Sequence, residues 1–317
     1  MPTSVTVSAP SRLHFGLWSL SGDGAFGGVG MMLRSPGVRL RLSPAERLTV
    51  AGPMADRVEQ AARQFLRDGM GGDDAPCLVE VLEAPAEHSG LGLGTQLSLS
   101  VAAGLDAWLR GRARPASELA PLVGRGKRSA IGAHGFEHGG LIVDGGHSGG
   151  TGLGRLHRHV AVPESWRVVL LPPPAPPGVS GDDEAAAFES LPPVPPAVSS
   201  DLKRLATDTI APAAAAADFD AFAEAVGQYG ELAGRCFAPA QGGTFASEAI
   251  TRVVSHATDR GYAGAGQSSW GPTVFAFARD SEHATRLVET ATAEEGLLAG
   301  PPRITSPATA GATITVE

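Results

Sequence analysis

The chain is poor in lysine and cysteine, and its composition narrows the classes of protein to which it can belong. Lys127 and Lys203 are its only lysines, and the net charge is −8. An acidic chain argues against broad nucleic-acid binding, although it leaves a local basic pocket open. Cys77 and Cys236 lie far apart and in no ligand spacing. A disulfide scaffold is therefore not expected, and a reducing cytoplasm is the predicted location.

Long apolar runs are also missing. No run approaches the ~20 residues needed to span a bilayer, so no membrane association is expected. The N-terminus alternates like a strand and has no charged-then-apolar leader, so secretion is not expected. With 43% hydrophobic and 18% charged residues, the 317-residue chain predicts a globular protein with a sizeable core, in two modest domains or one large one.

The periodicity of apolar residues predicts an α+β fold. Period-two alternation or short apolar runs predict strands at 5–8, 38–42, 47–50, 77–85, 141–143, 166–171, 273–278 and 311–316. Helical spacing predicts helices at 54–68, 96–109, 116–123, 218–236, 246–259 and 281–294. Helices that accompany short antiparallel strands are typical of α+β architectures.

Two proline-rich segments, at 172–178 and 191–200, are predicted to hold neither helix nor central strand. They bracket a short acidic helix, DDEAAAFES, in which Glu184 and Phe188 are candidates to close over a substrate. A plain surface loop explains this region equally well. The predicted boundary near residue 165 gives an N-terminal domain at 1–164 and a C-terminal domain at 165–317.

A glycine-rich turn, SGLGLGT, opens directly into a predicted helix. Gly90, Gly92 and Gly94 permit backbone angles that other residues resist, so several amides can converge on one anion. Thr95 is the predicted N-cap, and the free N–H groups at a helix start favour phosphate. The alternative is a glycine turn that only lets the helix pack closely. The spacing fits neither the Rossmann nor the Walker pattern.

Three motifs, in order, resemble those of the GHMP kinase superfamily. They are APSRLHFGL (9–17), the SGLGLGT loop, and GAGQSSWGPTVFAFA (264–278). The resemblance implies a two-domain α+β fold with a ribosomal S5 domain 2-like N-terminal half and a ferredoxin-like C-terminal half. It also implies an active site where the first strand meets both glycine loops.

Two departures from the kinase pattern single out one branch of the superfamily. The loop continues Thr95-Gln96-Leu97 instead of small hydroxyl residues, and His134 falls near the place of a kinase aspartate. The segments GLGLGTQLSLSVA, GRGKRSAIGAHGFEHGGLIVDGG and GQSSWGPTVFAFA together resemble the β-ribofuranosylaminobenzene 5′-phosphate synthase family. This resemblance runs from about residue 8 to about residue 317.

The resemblance implies a decarboxylating pentosyltransferase. Members of that family join phosphoribosyl pyrophosphate (PRPP) to 4-aminobenzoate and release CO₂ and pyrophosphate, in the first step of methanopterin biosynthesis. Loss of CO₂ restores aromaticity, so neither a nucleotide nor a redox cofactor is expected. Mg²⁺ is expected to assist pyrophosphate departure, with ligands unknown. The implied partners are these small substrates, with no nucleic acid and no membrane, and a homodimer is a family-level expectation.

The catalytic candidates are Arg12, His14 and Asp144. Arg12 lies on the predicted first strand and would pair with the benzoate carboxylate or a phosphate; a structural ion pair is the alternative. His14 would contact substrate, or else be a satisfied core histidine. Asp144 would ligate Mg²⁺ or orient a ribose hydroxyl, and a turn-forming aspartate is the equal alternative.

The candidates for phosphate and PRPP binding combine loop backbone with a basic cluster. They are Gly90, Gly92, Gly94, Thr95, Gln96, Arg125, Lys127 and Arg128. The three basic residues are dense for a chain that hardly uses lysine, and they suit a 5′-phosphate or a pyrophosphate. A solvated basic turn would give the same pattern. His88, which leads the loop, is a further candidate to cap the loop or touch phosphate.

The remaining candidates are predicted to bind substrate. In HGFEH (134–138), His134 and Glu137 are predicted to lie on a substrate-lining loop. A zinc site is disfavoured there because the surrounding glycines make a stable helix doubtful and no third ligand is indicated.

On the third motif, Gln267, Ser268 and Ser269 suit ribose or phosphate contacts. Trp270 could stack on the aminobenzoate ring, although core packing explains a tryptophan there almost as well.

Two other functions remain open from the sequence. An ATP-dependent GHMP small-molecule kinase would bind nucleotide and phosphorylate an alcohol. A non-catalytic GHMP-like protein would bind a ligand but would have lost the glycines of its loops, whereas the loop glycines of this chain are intact. The residues also leave open whether the acceptor carries a para amino or a para hydroxyl group.

Overall fold

The computed structural model describes residues 2–22, 25–148, 152–176, 178 and 181–317. For residues 181–185, which include the candidate Glu184, it describes the backbone but not the side chains. The strands are β1 (Val5–Leu17), β2 (Gly28–Pro44), β3 (Thr49–Ala51), β4 (Cys77–Glu83), β5 (Leu141–Asp144), β6 (Leu156–Val160), β7 (Arg167–Leu171), β8 (Gly266–Gln267), β9 (Val274–Ala278), β10 (Arg303–Thr305) and β11 (Thr313–Val316). The helices are α1 (Ala55–Met70), α2 (Leu93–Arg110), α3 (Ala116–Leu122), α4 (Ile131–His138), α5 (Gly181–Ser190), α6 (Pro196–Arg204), α7 (Ala211–Ala215), α8 (Phe219–Gln241), α9 (Glu248–Thr258) and α10 (Ser281–Ala293), with a π-helical turn (Leu205–Ile210) between α6 and α7.

The predicted α+β class is confirmed: the described strands form two sheets with helices packed on them. The first sheet has the order β11-β1-β2-β4-β3, with β5 and β6 extending it from the other half of β2. The second has the order β10-β7-β9-β8. All pairings are antiparallel except β3 with β4. No helix in the described part of the chain is long and apolar enough to cross a bilayer.

Helix α2 is the central helix of the first half. Its predicted apolar face, which includes Leu97 and Trp108, is buried against the first sheet and α1. The helix begins at Leu93 with Gly92 as N-cap, three residues earlier than predicted. Thr95 therefore lies inside the first turn, and its prediction as the N-cap was wrong. The left-handed backbone of Gly92 makes the turn without a capping side chain.

The second core joins the two sheets. Leu13 and Phe15 of β1 pack with Phe222 and Tyr229 of α8 and with Phe275 of β9. Because β1 contributes side chains to this core along one stretch and to the α2 core along another, it lies between both halves of the molecule. The two halves therefore meet along β1, where they enclose a cleft.

The proline-rich region agrees only partly with its prediction. The acidic helix is present as α5, but the segment 191–200 is not free of helix, because α6 begins at Pro196. Proline is tolerated in the first helical turn, where its missing N–H has no intrahelical partner to lose. The predicted boundary near residue 165 separates the strands of the two sheets except for β11, which returns to pair with β1.

Candidate functional site

A cleft of ≈ 640 Å³ lies where β1, both glycine loops, the basic segment and α8 meet. Fourteen of the candidates named from the sequence line this cleft, and twelve of these lie in the three motifs or the basic segment. The twelve are Arg12, His14, Gly90, Gly92, Gly94, Thr95, Arg125, Lys127, Arg128, Gln267, Ser269 and Trp270. Residues far apart in the chain thus converge on one cavity, and its wall also contains His88 and Phe188.

The start of α2 faces the cleft. Gly90 and Gly92 both have positive φ, 85° and 72°, and the first turn of the helix contains no acidic residue. The amides of Thr95 and Gln96 donate to the carbonyl of Gly92, whereas Leu93 and Gly94 hold the first helical positions, which have no carbonyl to reach within a helix. Amides of this kind, with the helix dipole behind them, favour an anion.

The third motif is joined to the glycine loop through Ser268. Its hydroxyl donates to the carbonyl of Gly90 (2.9 Å) and accepts from the amide of His14 (3.2 Å). The Ser269 amide donates to the His14 carbonyl (3.1 Å). Ser268 is fully buried and does not line the cleft, so the structure makes it a support for the loops and not a substrate contact.

Five cationic side chains line the cleft: Arg12, Arg57, Arg125, Lys127 and Arg128. Among the described lining residues, Glu189 is the only carboxylate. A side-chain carbon on Gly94 would lie 3.4 Å from Arg57 Nη2 and 3.5 Å from Arg125 Nη1, so both guanidinium groups lie beside the start of α2. This end of the cleft is suited to a polyanion.

Arg57 was missed by the sequence analysis. It lies on α1, outside all three motifs, and its guanidinium donates to Glu87 Oε1 at 2.5 Å. The available signal was weak: Arg57 lies at the margin of the buried stripe of α1, one turn before Ala61, where a half-exposed arginine needs no functional explanation. Only the packing of α1 beside the glycine loop brings this side chain to the cleft.

His14 lies at the floor of the cleft as a neutral imidazole. The Gly16 amide donates to Nδ1 (3.1 Å), so Nε2 carries the proton and donates to Ser129 Oγ (3.2 Å). Burial, and secondarily the charge of Arg12, holds the His14 pKa well below its usual range. Ser129 was also missed; its hydroxyl lies 3.4 Å from Asp144 Oδ2, which links His14 to that carboxyl.

Asp144 does not line the cleft. It is buried behind the basic segment, where Oδ2 accepts from the Ala130 amide (2.5 Å) and Oδ1 from the Gly146 amide (2.9 Å). Burial raises its pKa, and these two backbone hydrogen bonds partly oppose the rise. Asp144 thus anchors the chain on both sides of β5 and supports Ser129, a position that does not fit the predicted contact with ribose or metal.

Gln96 is also placed behind the site. It is fully buried, and its amide nitrogen donates to the Gly132 carbonyl at 2.8 Å, which ties α2 to α4. The buried Gln96 side chain therefore braces the two helices against each other. Direct phosphate binding by the Gln96 side chain does not fit its position.

The HGFEH segment is a helix, so its prediction as a substrate-lining loop was wrong. The segment lies within α4, where Gly135 allows close packing against Met32 of β2. His134 Nε2 is 2.8 Å from the Gly154 carbonyl, and Glu137 accepts from the Ala116 amide. His138 faces the ring of His159 instead of His134. Neither His134 nor Glu137 lines the cleft.

Four aromatic side chains, which we term the aromatic wall, line the other side of the cleft: Phe26, Phe188, Phe237 and Trp270. They form a separate small hydrophobic cluster with Leu17 and Leu191. Phe188 and Trp270 were predicted from the sequence, whereas Phe26 and Phe237 were not. Phe26 lies in an irregular segment, and Phe237 continues the apolar stripe of α8, so neither stands out in the sequence.

The described residues offer little to a protein-held metal. No group of three or more His, Cys, Asp or Glu side chains lies together within 2–22, 25–148, 152–176, 178 and 186–317, where side chains are described. The one carboxylate predicted as a ligand, Asp144, has both oxygens on backbone amides. The described side chains therefore do not form a dedicated Mg²⁺ cage.

Comparison with known proteins gives clear relatives. The chain is 32% identical over 299 residues to a β-ribofuranosylphenol 5′-phosphate synthase of Methanothermobacter thermautotrophicus, covering 87% of this chain and 89% of that one. It is 30% identical over 257 residues to the protein of the same name from Archaeoglobus fulgidus, covering 72% and 80%. The family model for the C-terminal region of GHMP kinases matches residues 210–296.

Solved structures share the fold at low identity. Homoserine kinase from Cytophaga hutchinsonii superposes with a TM-score of 0.66 at 15% identity, covering 99% of this chain and 98% of that chain. Mevalonate-3-kinase from Thermoplasma acidophilum, with mevalonate 3-phosphate and ADP bound, gives 0.64 at 13% identity, covering 99% of each. The two-domain GHMP kinase-like fold predicted from the motifs is confirmed, and the cleft lies within it.

Proposed function

Because the chain belongs to the β-ribofuranosylphenol 5′-phosphate synthase family and is therefore an enzyme, we propose that it joins PRPP to 4-aminobenzoate. The products are β-ribofuranosylaminobenzene 5′-phosphate, CO₂ and pyrophosphate, at the first step of methanopterin biosynthesis. One observation carries the proposal: a single cleft combines a polyanion-binding end with an aromatic wall.

The polyanion end suits the phosphates of PRPP. The α2 amides, Arg57 and Arg125 surround Gly94, and Arg12 packs on Gly92. Departure of pyrophosphate leaves positive character on ribose C1 and negative charge on the leaving group. Fixed amides and guanidinium groups stabilise that leaving charge without reorganising, which lowers the barrier.

The acceptor step needs no net proton transfer. The ring carbon that bears the carboxylate supplies an electron pair to ribose C1 while the bond from C1 to pyrophosphate breaks. The bond from that ring carbon to the carboxylate then breaks, its electrons return to the ring, and CO₂ leaves. The neutral His14, whose two ring nitrogens bond to the Gly16 amide and to Ser129, suits a role in holding the cleft floor rather than that of a strong acid.

Mg²⁺ enters the proposal only as part of the substrate. We propose that Mg²⁺ arrives on the pyrophosphate of PRPP, as Mg²⁺ commonly binds phosphates with few protein ligands. We also propose a cytoplasmic location, which suits the free thiols of Cys77 and Cys236. The expected homodimer can be tested by sedimentation equilibrium.

A second acceptor follows from the name of the relatives. Both are called synthases of a ribofuranosylphenol phosphate, a product with a para hydroxyl group. 4-Hydroxybenzoate is therefore the alternative acceptor for this chain, in the same reaction. An ATP-dependent kinase is less well supported, because Gln96 braces α2 against α4 where a kinase loop presents small hydroxyl residues.

The proposal is tested with carboxyl-labelled substrates. Purified protein is incubated with Mg²⁺, PRPP and either labelled 4-aminobenzoate or labelled 4-hydroxybenzoate, and released CO₂ and pyrophosphate are counted. Parallel tubes contain ATP in place of PRPP. We expect PRPP-dependent CO₂ matched by pyrophosphate, with the larger kcat/KM identifying the acceptor. No CO₂ from either acid, together with ATP consumption, would refute the synthase assignment.

A further inference from the structure

We infer that the aromatic wall binds the ring of the acceptor and that Phe188 of α5 determines the preference for an aromatic acid, an inference that rests on the proposed function. The ligand class is a flat aromatic carboxylate. The geometry of the four rings, the guanidinium of Arg128 beside them and the position of Phe188 on α5 support this inference.

The four rings come from four separate segments and meet at one place. Phe188 and Trp270 lie 5.3 Å apart with planes at 32°, which is close to stacking. Phe237 meets both of them edge-on, at 5.9 and 5.8 Å, and Phe26 meets Phe188 edge-on at 6.1 Å. Offset stacking and edge contacts are the arrangements that a further ring can extend. The wall thus offers a ligand ring both kinds of contact within the cleft.

Arg128 gives the wall a positive charge, while Glu189, which follows Phe188 on α5 and also lines the cleft, is exposed to solvent. The guanidinium carbon of Arg128 lies 4.8 Å from the centre of the Phe188 ring, and Arg128 also lines the cleft. The cations that serve the phosphate end, Arg57 and Arg125, lie instead beside Gly94. The two ends of the cleft therefore suit different ligands, a polyanion at the glycine loop and a ring with a single negative charge at the wall.

Phe188 is the wall residue best placed to set specificity. In the described part of α5, Ala186, Glu189 and Ser190 are exposed, whereas Ala187 and Phe188 are half-buried against the wall. Phe188 and Glu189 are the side chains in this part of α5 that line the cleft, and Phe188 is the aromatic one; because it belongs to a small separate cluster, it can change without removing part of a main core. Phe237 and Trp270, by contrast, are buried and also stabilise the cluster.

The test compares Phe188→Ala and Phe188→Leu with wild type in the CO₂-release assay. We expect the acceptor KM to rise about three- to tenfold in both variants with the PRPP KM unchanged, and Phe188→Tyr to stay close to wild type. Phe219→Ala is the matched control. Phe219 is also half-buried, and the guanidinium carbon of Arg279 lies 5.0 Å from its ring centre. Phe219 nevertheless lies outside the cleft.

A binding measurement separates this inference from the proposed reaction. Equilibrium dialysis with labelled 4-aminobenzoate and labelled 4-hydroxybenzoate, without PRPP, requires no turnover. Weaker binding by Phe188→Ala than by Phe219→Ala supports the wall even if wild type releases no CO₂. Unchanged binding of the labelled acid by Phe188→Ala would overturn the inference. Tighter binding would also overturn it, because the Phe188 side chain would then be shown to compete with the acceptor ring for its place. Displacement of the labelled acid by ATP, but not by unlabelled benzoate, would also overturn it.

Discussion

Gly271 lies directly against the backbone of Gly90. A side-chain carbon on Gly271 would come within 2.2 Å of the Gly90 nitrogen and 2.3 Å of its Cα. The glycine loop of the N-terminal half and the third motif of the C-terminal half are therefore in backbone contact. This contact sets the distance between the polyanion end of the cleft and Trp270, which precedes Gly271.

The first prediction concerns this contact. Gly271→Ala must push the two loops apart, because the atoms it meets are backbone and cannot rotate away. We expect kcat/KM to fall at least tenfold and the free energy of unfolding to drop by about 1–3 kcal/mol. Steady-state kinetics and urea denaturation measure both. Gly72→Ala, with open space around it, is the control; equal effects of the two changes would contradict the close contact.

The second prediction concerns Arg57. Arg57→Gln should raise the PRPP KM about tenfold and reduce its dependence on salt, because a charged hydrogen bond to phosphate is lost. The acceptor KM should not change. Arg67→Gln lies on the same helix and outside the cleft, and should behave like wild type. A PRPP KM that stays constant in Arg57→Gln would show that this guanidinium serves only Glu87.

The third prediction concerns Asp144. In Asp144→Asn the side-chain NH₂ must face either the Ala130 or the Gly146 amide, donor against donor, because each carboxylate oxygen accepts from one of them. We expect about 1–3 kcal/mol less stability in urea denaturation and a higher PRPP KM, since the basic segment loses its anchor.

Asp74→Asn is the matched control for that change. Asp74 accepts from the Leu48 and Ala75 amides through the same oxygen, so an asparagine can keep both hydrogen bonds. If Asp74→Asn lost as much stability as Asp144→Asn, the donor–donor explanation would be wrong.

The fourth prediction concerns pH. Burial and Arg12 lower the pKa of His14 in the folded state, so below about pH 6.5 the unfolded chain binds a proton that the folded chain does not. The contribution of His14 to stability is therefore complete above that pH. It declines, by up to about 1.4 kcal/mol per pH unit, as pH falls from 6.5 towards the folded pKa.

Urea denaturation at pH 7.5, 6.5 and 5.5, on wild type and on His14→Gln, measures this effect as the difference between the two proteins. The other titrating groups are common to both and cancel. A wild-type advantage that stays constant from pH 7.5 to 5.5 would mean that His14 takes up its proton in the fold as easily as in the unfolded chain.

Much of the fold could be predicted, because most elements bury one face. The stripe of α1, with Val58 and Phe65, and the face of α2, with Leu97 and Trp108, both follow from helical spacing. Residues 28–33 of β2 could not be predicted as strand. Every one of them is buried, so the alternation that marks a half-exposed strand is absent.

The residues that line the site on its loops could be predicted from the sequence. The residues that hold these loops in place from behind could not be distinguished from them. Arg12 and Trp270 line the cleft because motifs bring their backbone there. Gln96, Asp144 and Ser268 have the same residue types as site residues, but their hydrogen bonds go to backbone groups of other elements. Sequence alone does not reveal which way such a side chain turns.

The pairing of β11 with β1 has a consequence for biosynthesis. Strand β1, which carries Arg12 and His14, leaves the ribosome long before its outer neighbour in the sheet, Thr313–Val316. Until that strand emerges, the backbone edge of β1 along Val5–Ser8 stays open to other chains. The nascent protein thus passes through a stage in which the half that bears the glycine loop is complete but one edge is unprotected, a stage that favours chaperone binding.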